Sequence, residues 1–342
     1  MHDVAAIVVS HRSAREAARA IASLRLGFAE TGVSGEVLLV DCGSGPDELP
    51  RLREAGSDRL LAIDNRGYSG GINAGVAAAR ARMLLFCNAD VELEPGALGP
   101  LLEAAGRPDV GAASPVQHAD AEGRILLPSG FGAGFARDLA QAVGGRWGAD
   151  RRFARHAARQ WRLWHEGGET GDLTGSLLAV RRQVVDRVGR LDERFPFEYE
   201  ETEWEERVRR ARLSLRVVSQ SRARHAAGTS AARNPETAIR RRASRREYRA
   251  RRYGRLGSAF LAWAERGSSP PGAAPAPAIF EARGRVFAVA VSPNPSLLPF
   301  AAASLEREVS AESLVAAAGG PLYARVFRVR DGMPEPVLRI GA

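Results

Sequence analysis

The sequence predicts an α/β protein, built on a mostly parallel sheet with flanking helices and followed by a small β-containing module. Three observations carry this. Short apolar runs alternate with helical patterns through the first third of the chain. The residues directly after each run are polar or acidic, as at the ligand-binding end of an open parallel sheet. A Pro/Ala-rich stretch, Gly267 to Ala278, then separates most of the chain from a tail of strand-like segments.

In order, Val4 to Ser10 reads as the first strand and Ala14 to Ala29 as the helix after it. Glu36 to Asp41 and Arg59 to Ile63 are strands, Gly71 to Arg82 is a helix, and Met83 to Asn88 is a strand. Gly106 to Gly111 reads as a turn before another apolar strand. Gly130 to Trp164, rich in Gly, Arg and Trp without clear periodicity, is expected to be an insert over the site. Thr174 to Val180 is a strand whose Gly175-Ser176 start allows close backbone approach. Val184 to Val188 leads into an acidic cluster, Leu213 to Val218 is one more strand, and Thr237 to Glu265 is helical. Gly284 to Val291 and Tyr323 to Arg330 are strand-like, the latter followed by the hairpin signal Asp331-Gly332 and by Val337 to Ile340. The expected division is a main domain over 1–266, a linker over 267–278 and an accessory module over 279–342. A module of that size folds alone only marginally. It is therefore expected to dock on the main domain, or on a second subunit in a homodimer.

The chain has 342 residues, 45% of them hydrophobic and 26% charged, an ordinary balance for a soluble globular protein. There is no run of about 18 apolar residues and no charged-then-apolar leader, so a cytoplasmic protein is expected. Cys42 and Cys87 are the only two cysteines, which excludes a disulfide framework or a four-cysteine zinc site. The formal charge is +9, and every basic residue other than histidine is Arg. Much of the excess sits between Arg240 and Arg255. That block calls for an acidic partner such as phospholipid headgroups, a diphosphate-bearing acceptor or nucleic acid, among which composition does not choose.

Pro196 to Arg207 packs six carboxylates into twelve residues, interleaved with Phe197, Tyr199 and Trp204 and preceded by Phe195. The bland reading is a charged helix start. The alternative is a site, because apolar surroundings and neighbouring like charges raise a carboxyl pKa toward neutrality, where it serves as a proton acceptor. Asn88-Ala89-Asp90 ends an apolar strand and places a carboxylate where a hard divalent cation could sit. His225 is a candidate further ligand. Asn65 to Gly75 supplies four glycines where a strand becomes a helix, so backbone N–H groups could approach a phosphate or ribose. It is not a dinucleotide fingerprint, and a phosphate loop ending in Gly-Lys-Ser/Thr cannot occur without Lys.

The order of these motifs resembles the family 2 glycosyltransferases of GT-A fold, in particular their rhamnosyltransferase-like branch. The resemblance runs from about residue 4 to about residue 255. It is carried by Val8 to Arg12, Val40 to Ser44, Asn65 to Gly75, Asn88 to Asp90, Thr174-Gly175-Ser176 with Arg181-Arg182, Gly189 to Arg207, and His225 with Gly228 and Ser230. It implies an inverting, Mg²⁺- or Mn²⁺-dependent transfer of a hexosyl or deoxyhexosyl group from a nucleotide-diphosphate sugar. The acceptor would be a hydroxyl of a saccharide, lipid-linked or small molecule, in polysaccharide biosynthesis. By the resemblance, Glu201 is the catalytic base and Asp90 and His225 bind the metal. Ser10, Arg12, Asp41, Ser44, Asn65, Gly67, Gly71, Asn73, Asn88 and Asp90 bind the nucleotide sugar, and Gly175, Glu200, Glu203 and Trp204 lie on the acceptor side.

One departure stands out. The family's Glu-Asp-x-Asp is here Glu200-Glu201-Thr202-Glu203, so the base reaches further by about one C–C bond. The Arg240 to Arg255 block would bring the enzyme to the inner face of a membrane. Two rival readings are a catalytically weak or dead homologue that binds nucleotide sugars, and a nucleic-acid or membrane binder using the Arg block with the acidic cluster structural. Nucleic acid is not the expected partner.

Overall fold

A computed structural model of the chain describes residues 2–130, 138–139, 149–195, 197–226 and 237–266, and short strands between 279 and 338. The N-terminal half is the expected alternation. β1 (His2–Ser10), α1 (Ala14–Thr31), β2 (Gly35–Cys42), α2 (Leu49–Arg53), β3 (Arg59–Ile63), α3 (Gly67–Ala78) and β4 (Ala81–Asn88) follow one another. β1 pairs in parallel with β2 and with β4, and β2 in parallel with β3. Both faces of β1 are covered, with Ala5 and Ile7 in one core and Val4, Ala6 and Val8 in the other. A strand buried on both sides reads as a continuous apolar run, which is why this one was legible.

Beyond β4 come β5 (Val91–Leu93), α4 (Leu98–Gly106), β6 (Val110–His118), β7 (Ile125–Leu126), α5 (Ala149–His165), β8 (Gly168–Thr170), β9 (Leu177–Arg181), α6 (Arg182–Val188), α7 (Glu200–Arg210), β10 (Ser214–His225) and α8 (Thr237–Arg266). The C-terminal strands are β11 (Ile279–Phe280), β12 (Phe287–Ser292), β13 (Ala301–Ser304), β14 (Val309–Ser310), β15 (Tyr323–Arg330) and β16 (Met333–Leu338). The main sheet runs β3-β2-β1-β4-β9-β6-β7-β13-β12-β15-β16. β13 pairs antiparallel with β7 through Ala302↔Leu126 and Ala303↔Ile125, so the C-terminal strands extend the sheet of the N-terminal half. The Pro/Ala stretch and the Asp331-Gly332 turn lie outside the described residues.

Among the elements that differ from expectation, three bear on the site. α3 starts at Gly67, where Gly67 adopts φ 73° and donates its N–H to Asn65 Oδ1 at 3.1 Å, closing an Asx turn. Within Gly130 to Trp164, α5 is a helix that buries Ala157, Gln160, Leu163 and Trp164, a helical spacing masked by the intervening arginines. β10 does not stop at Val218 but continues to His225. Register shifts between Ser214 and Leu215 and between Val218 and Arg222 bend it, and the polar Ser219-Gln220-Ser221 at the second shift hid the continuation.

The glycines of α3 are demanded first by packing. A Cβ on Gly75 would lie 2.2 Å from Ile7 Cγ2, and one on Gly71 would lie 2.6 Å from Val9 Cγ1. The helix thus rests directly on β1 and holds the strand ends in place. Gly75→Ala is expected to destabilise the fold by about 1–3 kcal/mol through overpacking, seen as a lower denaturant midpoint with unchanged slope.

Candidate functional site

Two strands deliver the metal candidates. β4 ends at Asn88, and Asp90 follows in the turn to β5. β10 runs antiparallel to β5 with His225 opposite Val91, so the histidine arrives beside Asp90. Its Nε2 lies 3.5 Å from Asp90 Oδ1, and Ala226 N–H donates to the Asp90 carbonyl at 3.2 Å. On the other side of the ring, Nδ1 meets Gln117 Oε1 at 3.0 Å, and the same oxygen accepts from Ser176 Oγ at 2.7 Å. With Nδ1–H donated to the glutamine, Nε2 is free to act as an electron-pair donor facing a carboxylate. An imidazole nitrogen and a carboxylate oxygen converging in this way fit a divalent cation of the Mg²⁺ or Mn²⁺ kind. Among the described residues no group of three or more His, Cys, Asp or Glu side chains could hold a metal, so a cation here would take its other ligands from phosphate and water. Gly228 and Ser230 lie outside the described residues.

The acidic cluster opens a helix, as its blander reading expected. α7 begins at Glu200, with Glu200, Glu201 and Glu203 in its first turn and Arg207, Arg209 and Arg210 in its last, matching the helix dipole at both ends. The turn before it is strained, with Glu198 at φ 61° and Tyr199 at φ 73°. α8 holds that turn: Arg241 pairs with Glu198 at 2.7 Å, Ser244 Oγ accepts from Phe197 N–H at 3.1 Å, and Tyr248 packs on Tyr199 with ring centroids 5.2 Å apart.

Glu201 folds over Gly175. A Cβ on that glycine would lie 2.7 Å from Glu201 Cγ, so the strand start must be Gly for the carboxylate to sit there. Burial, with Glu198 and Asp172 nearby, pushes Glu201 up to about 7. Burial and the Glu201 charge push Glu200 well above the usual carboxyl range, and burial with Asp172 and Glu201 does the same to Glu205. Each of the three has one oxygen without a hydrogen-bond partner among the described residues.

A continuous set of contacts joins the two halves. Tyr68 Oη donates to the Gly175 carbonyl at 2.9 Å, and burial raises its pKa well above 10.0, helped by Cys87, Glu200, Glu201 and Asp90. Asn88 N–H donates to the Ser176 carbonyl at 2.8 Å. Glu201, Gly175, Ser176, Gln117, His225 and Asp90 therefore line one end of the sheet. Sequence reading missed Tyr68, Gln117, Asp172 and Glu205. Only Glu205 carried a signal, being four residues after Glu201 on the same helical face.

The donor-side candidates gather at the ends of β1 and β2. Asp41 is buried and accepts from Ser44 Oγ and, at 3.3 Å, from Ser44 N–H; Ser44 Oγ in turn accepts from Arg12 N–H at 2.7 Å. Arg12 is exposed at φ 53°. Ser10 is buried against Ser13, with hydroxyls 2.9 Å apart. Asn65 is exposed. Asn73 is not: its Nδ2 donates to Leu191 O and Glu193 Oε1, both at 2.9 Å, and its Oδ1 accepts from Leu191 N–H at 3.1 Å. Its amide is thus committed to anchoring the loop before α7.

Two acceptor-side expectations are corrected. Trp204 is fully buried, edge-on to Phe86, and donates Nε1–H to Gly189 O at 2.8 Å, so it is core. Glu203 is engaged by Arg207, whose Nη2 lies 2.8 Å from it, and Arg207 also donates to Arg190 O at 2.7 Å. Of the aromatics interleaved with the acids, Trp204 lies on the buried face of α7 and Phe195 is buried ahead of it. A third correction concerns the Arg block. Arg241, Arg251 and Arg252 pair with Glu198, Asp192 and Glu206, so part of its acidic partner lies within the chain.

Residues 5–188 match the family described as Glycosyl transferase family 2. Over 107 residues the chain is 39% identical to the succinoglycan biosynthesis protein ExoO of Rhizobium meliloti (strain 1021), covering 30% of each chain. Over 112 residues it is 32% identical to the uncharacterized glycosyltransferase alr2836 of Nostoc sp., covering 31% of this chain and 34% of that one. The match thus spans about a third of these relatives' length. Among solved structures, the mannosyltransferase PcManGT of Pyrobaculum calidifontis with GDP-Man and Mn²⁺ aligns at TM-score 0.47 and 15% identity, over 79% of this chain and 77% of that one. GalNAc-T7 with UDP, GalNAc and Mn²⁺ aligns at TM-score 0.45 and 15% identity, over 66% and 44%. With a family match across residues 5–188, more than half of its length, this chain belongs to glycosyl transferase family 2.

Proposed function

We propose that the protein is an inverting, divalent-metal-dependent glycosyltransferase, moving a hexosyl or deoxyhexosyl group from a nucleotide-diphosphate sugar to an acceptor hydroxyl. The observation that carries this reading is the continuous line of contacts from Glu201 through Gly175, Ser176 and Gln117 to the His225–Asp90 pair. It supports a proton acceptor poised near neutrality and a cation-binding pair at one end of the same sheet.

In the reaction the acceptor oxygen bonds to the anomeric carbon while the bond from that carbon to the diphosphate oxygen breaks. Glu201 takes the acceptor's hydroxyl proton as attack proceeds from the face opposite the leaving group, which inverts the centre. Tyr68 and the glycine backbone at 175 fix the position of its carboxylate. Asp41, Ser44 and Arg12 hold the base and ribose, with Ser10, Asn65, Gly67, Gly71 and Asn88 lining the donor side. Asp90 and His225 would hold Mg²⁺ or Mn²⁺, which would supply positive charge to offset that of the departing diphosphate. The relative named for succinoglycan biosynthesis supports a saccharide or lipid-linked acceptor in polysaccharide assembly. The accessory strands beyond 279 are proposed to form a module docked through β13 on β7.

The test is a panel of nucleotide sugars with Mg²⁺ or Mn²⁺, scored by thermal stabilisation and then by release of nucleoside diphosphate. Nucleotide and cation together are expected to stabilise the fold by about 2–3 kcal/mol at a ligand concentration a hundredfold above Kd. A panel that gives neither stabilisation nor release, set beside salt-sensitive binding to DNA, would overturn the proposal.

A further inference from the structure

We propose that the C-terminal half of α8 docks on an anionic lipid surface. No helix among the described residues is long and apolar enough to cross a membrane. α8 is kinked at Gly254, which takes φ 71° and ψ 178°, and the helix beyond the kink turns two unlike faces outward and inward. Leu261 and Ala264 are buried in a small core with Leu139 and Tyr253. Leu256, Phe260 and Trp263, at i, i+4 and i+7, form a separate stripe. Leu256 is 88% exposed and Trp263 is 64% exposed, with the Phe260 and Trp263 ring centroids 5.8 Å apart. Leaving a Leu and a Trp this open on one stripe is costly unless something apolar receives them.

The surrounding charge selects the occupant. Arg241, Arg251 and Arg252 are engaged by carboxylates of the 192–206 region, whereas Arg242, Arg246 and Arg255 are exposed and form no ion pair among the described residues. Arg255 flanks the apolar stripe, and Ile239, 70% exposed, lies one turn from Arg242 and two turns from Arg246 on the segment before the kink. A Trp/Phe/Leu stripe flanked by Arg255, with Arg242 and Arg246 exposed on the segment before the kink, is the composition of a helix lying in a membrane interface. The aromatic and aliphatic groups enter the acyl boundary and the guanidinium groups meet phosphate headgroups. A purely electrostatic partner would leave the stripe in water, and a purely apolar one would desolvate the arginines without compensation. The inference goes beyond the transfer reaction and uses none of its residues.

The experiment is vesicle binding by the full chain, comparing vesicles of equal parts phosphatidylglycerol and phosphatidylcholine with vesicles of phosphatidylcholine alone. Strong binding is expected only to the anionic vesicles, with a blue shift of tryptophan emission that Trp263→Phe removes. Leu256→Ser with Trp263→Ser is expected to lower the partition coefficient at least about tenfold, from the apolar area withdrawn. Arg242→Gln with Arg246→Gln and Arg255→Gln is expected to abolish the preference for anionic lipid. Turnover with a water-soluble acceptor is unchanged in both variants, so failure here and failure of the transfer reading are separately visible. The proposal is overturned by anionic binding indifferent to Leu256 and Trp263, or by binding to duplex DNA instead of vesicles. It is equally overturned by a Trp263 already shielded from a soluble quencher without lipid, which would show another part of the chain or a second copy on the stripe.

Discussion

Glu201→Gln is expected to lower sugar transfer by roughly a hundredfold or more while nucleotide binding with metal stays near that of the parent protein. The size follows from removing a general base that is otherwise at neutral pH a mixture of acid and carboxylate. Gln is nearly isosteric and still fits over Gly175, and its carbonyl can accept the helix N-terminal N–H groups that the carboxylate takes from residues 201 and 202. The loss would therefore fall on turnover and not on the fold. For the parent protein, log kcat/KM should rise with pH through about 7 and level off above it, and the variant should lose that limb. Full turnover in the variant, measured by nucleoside diphosphate release, would remove Glu201 from its role.

The same substitution has a stability signature with a definite sign. Burial pushes the Glu201 carboxyl up to about 7, against an ordinary 4.5 for an exposed one. Between those values the folded protein binds more protons than the unfolded one, so this group's contribution is most favourable below 4.5 and declines as pH rises toward 7. A neutral Gln is spared that decline. The variant should gain on the order of 2–3 kcal/mol relative to the parent protein above pH 7, and little near pH 4. A protein that becomes more stable as it loses activity is hard to produce by misfolding, which separates this outcome from a trivial one.

What the sequence could tell depended on how local each signal was. β1, β2 and β4 were readable because strands buried on both faces are written as unbroken apolar runs, and the polar residues after them marked the ligand-binding end expected of such a sheet. Asp90 and His225 stand 135 positions apart, and only the family resemblance joined them; the physical reason is β10, which bends through two register shifts to bring His225 opposite Val91. Trp204 was misassigned because an aromatic among acids reads alike whether it faces a ligand or the core. The helical phase of α7 decides it, since Trp204 and Val208 lie one turn apart on the buried face. Gln117 carried no signal, because a side chain that orients a histidine on the neighbouring strand, over a hundred positions away in sequence, leaves no pattern in its own neighbourhood. The Arg block was legible as charge but not as pairing, since its carboxylate partners precede it by dozens of residues.

Asp90→Asn is expected to abolish the part of nucleotide-dependent stabilisation that requires Mg²⁺ or Mn²⁺ and to lower transfer at least about a hundredfold. The change removes a negative charge and a hard oxygen ligand while keeping the side chain's volume. The backbone carbonyl of residue 90, which accepts from Ala226 N–H at 3.2 Å, is untouched, so β10 should stay docked. His225 supplies the internal control. Its ring is held by Gln117 from the far side at 3.0 Å, so the histidine keeps its place when the carboxylate becomes an amide, and residual weak metal binding should then depend on His225 alone. His225→Ala in the Asp90→Asn background should accordingly remove that remnant and cost little more in turnover, because two ligands of one ion act as a unit and their losses do not add. Calorimetric titration of Mn²⁺ in the presence of a nucleoside diphosphate measures this directly. Unchanged affinity in the single variant would place the cation elsewhere, and equal additive losses in the double variant would mean that the two side chains do not share it.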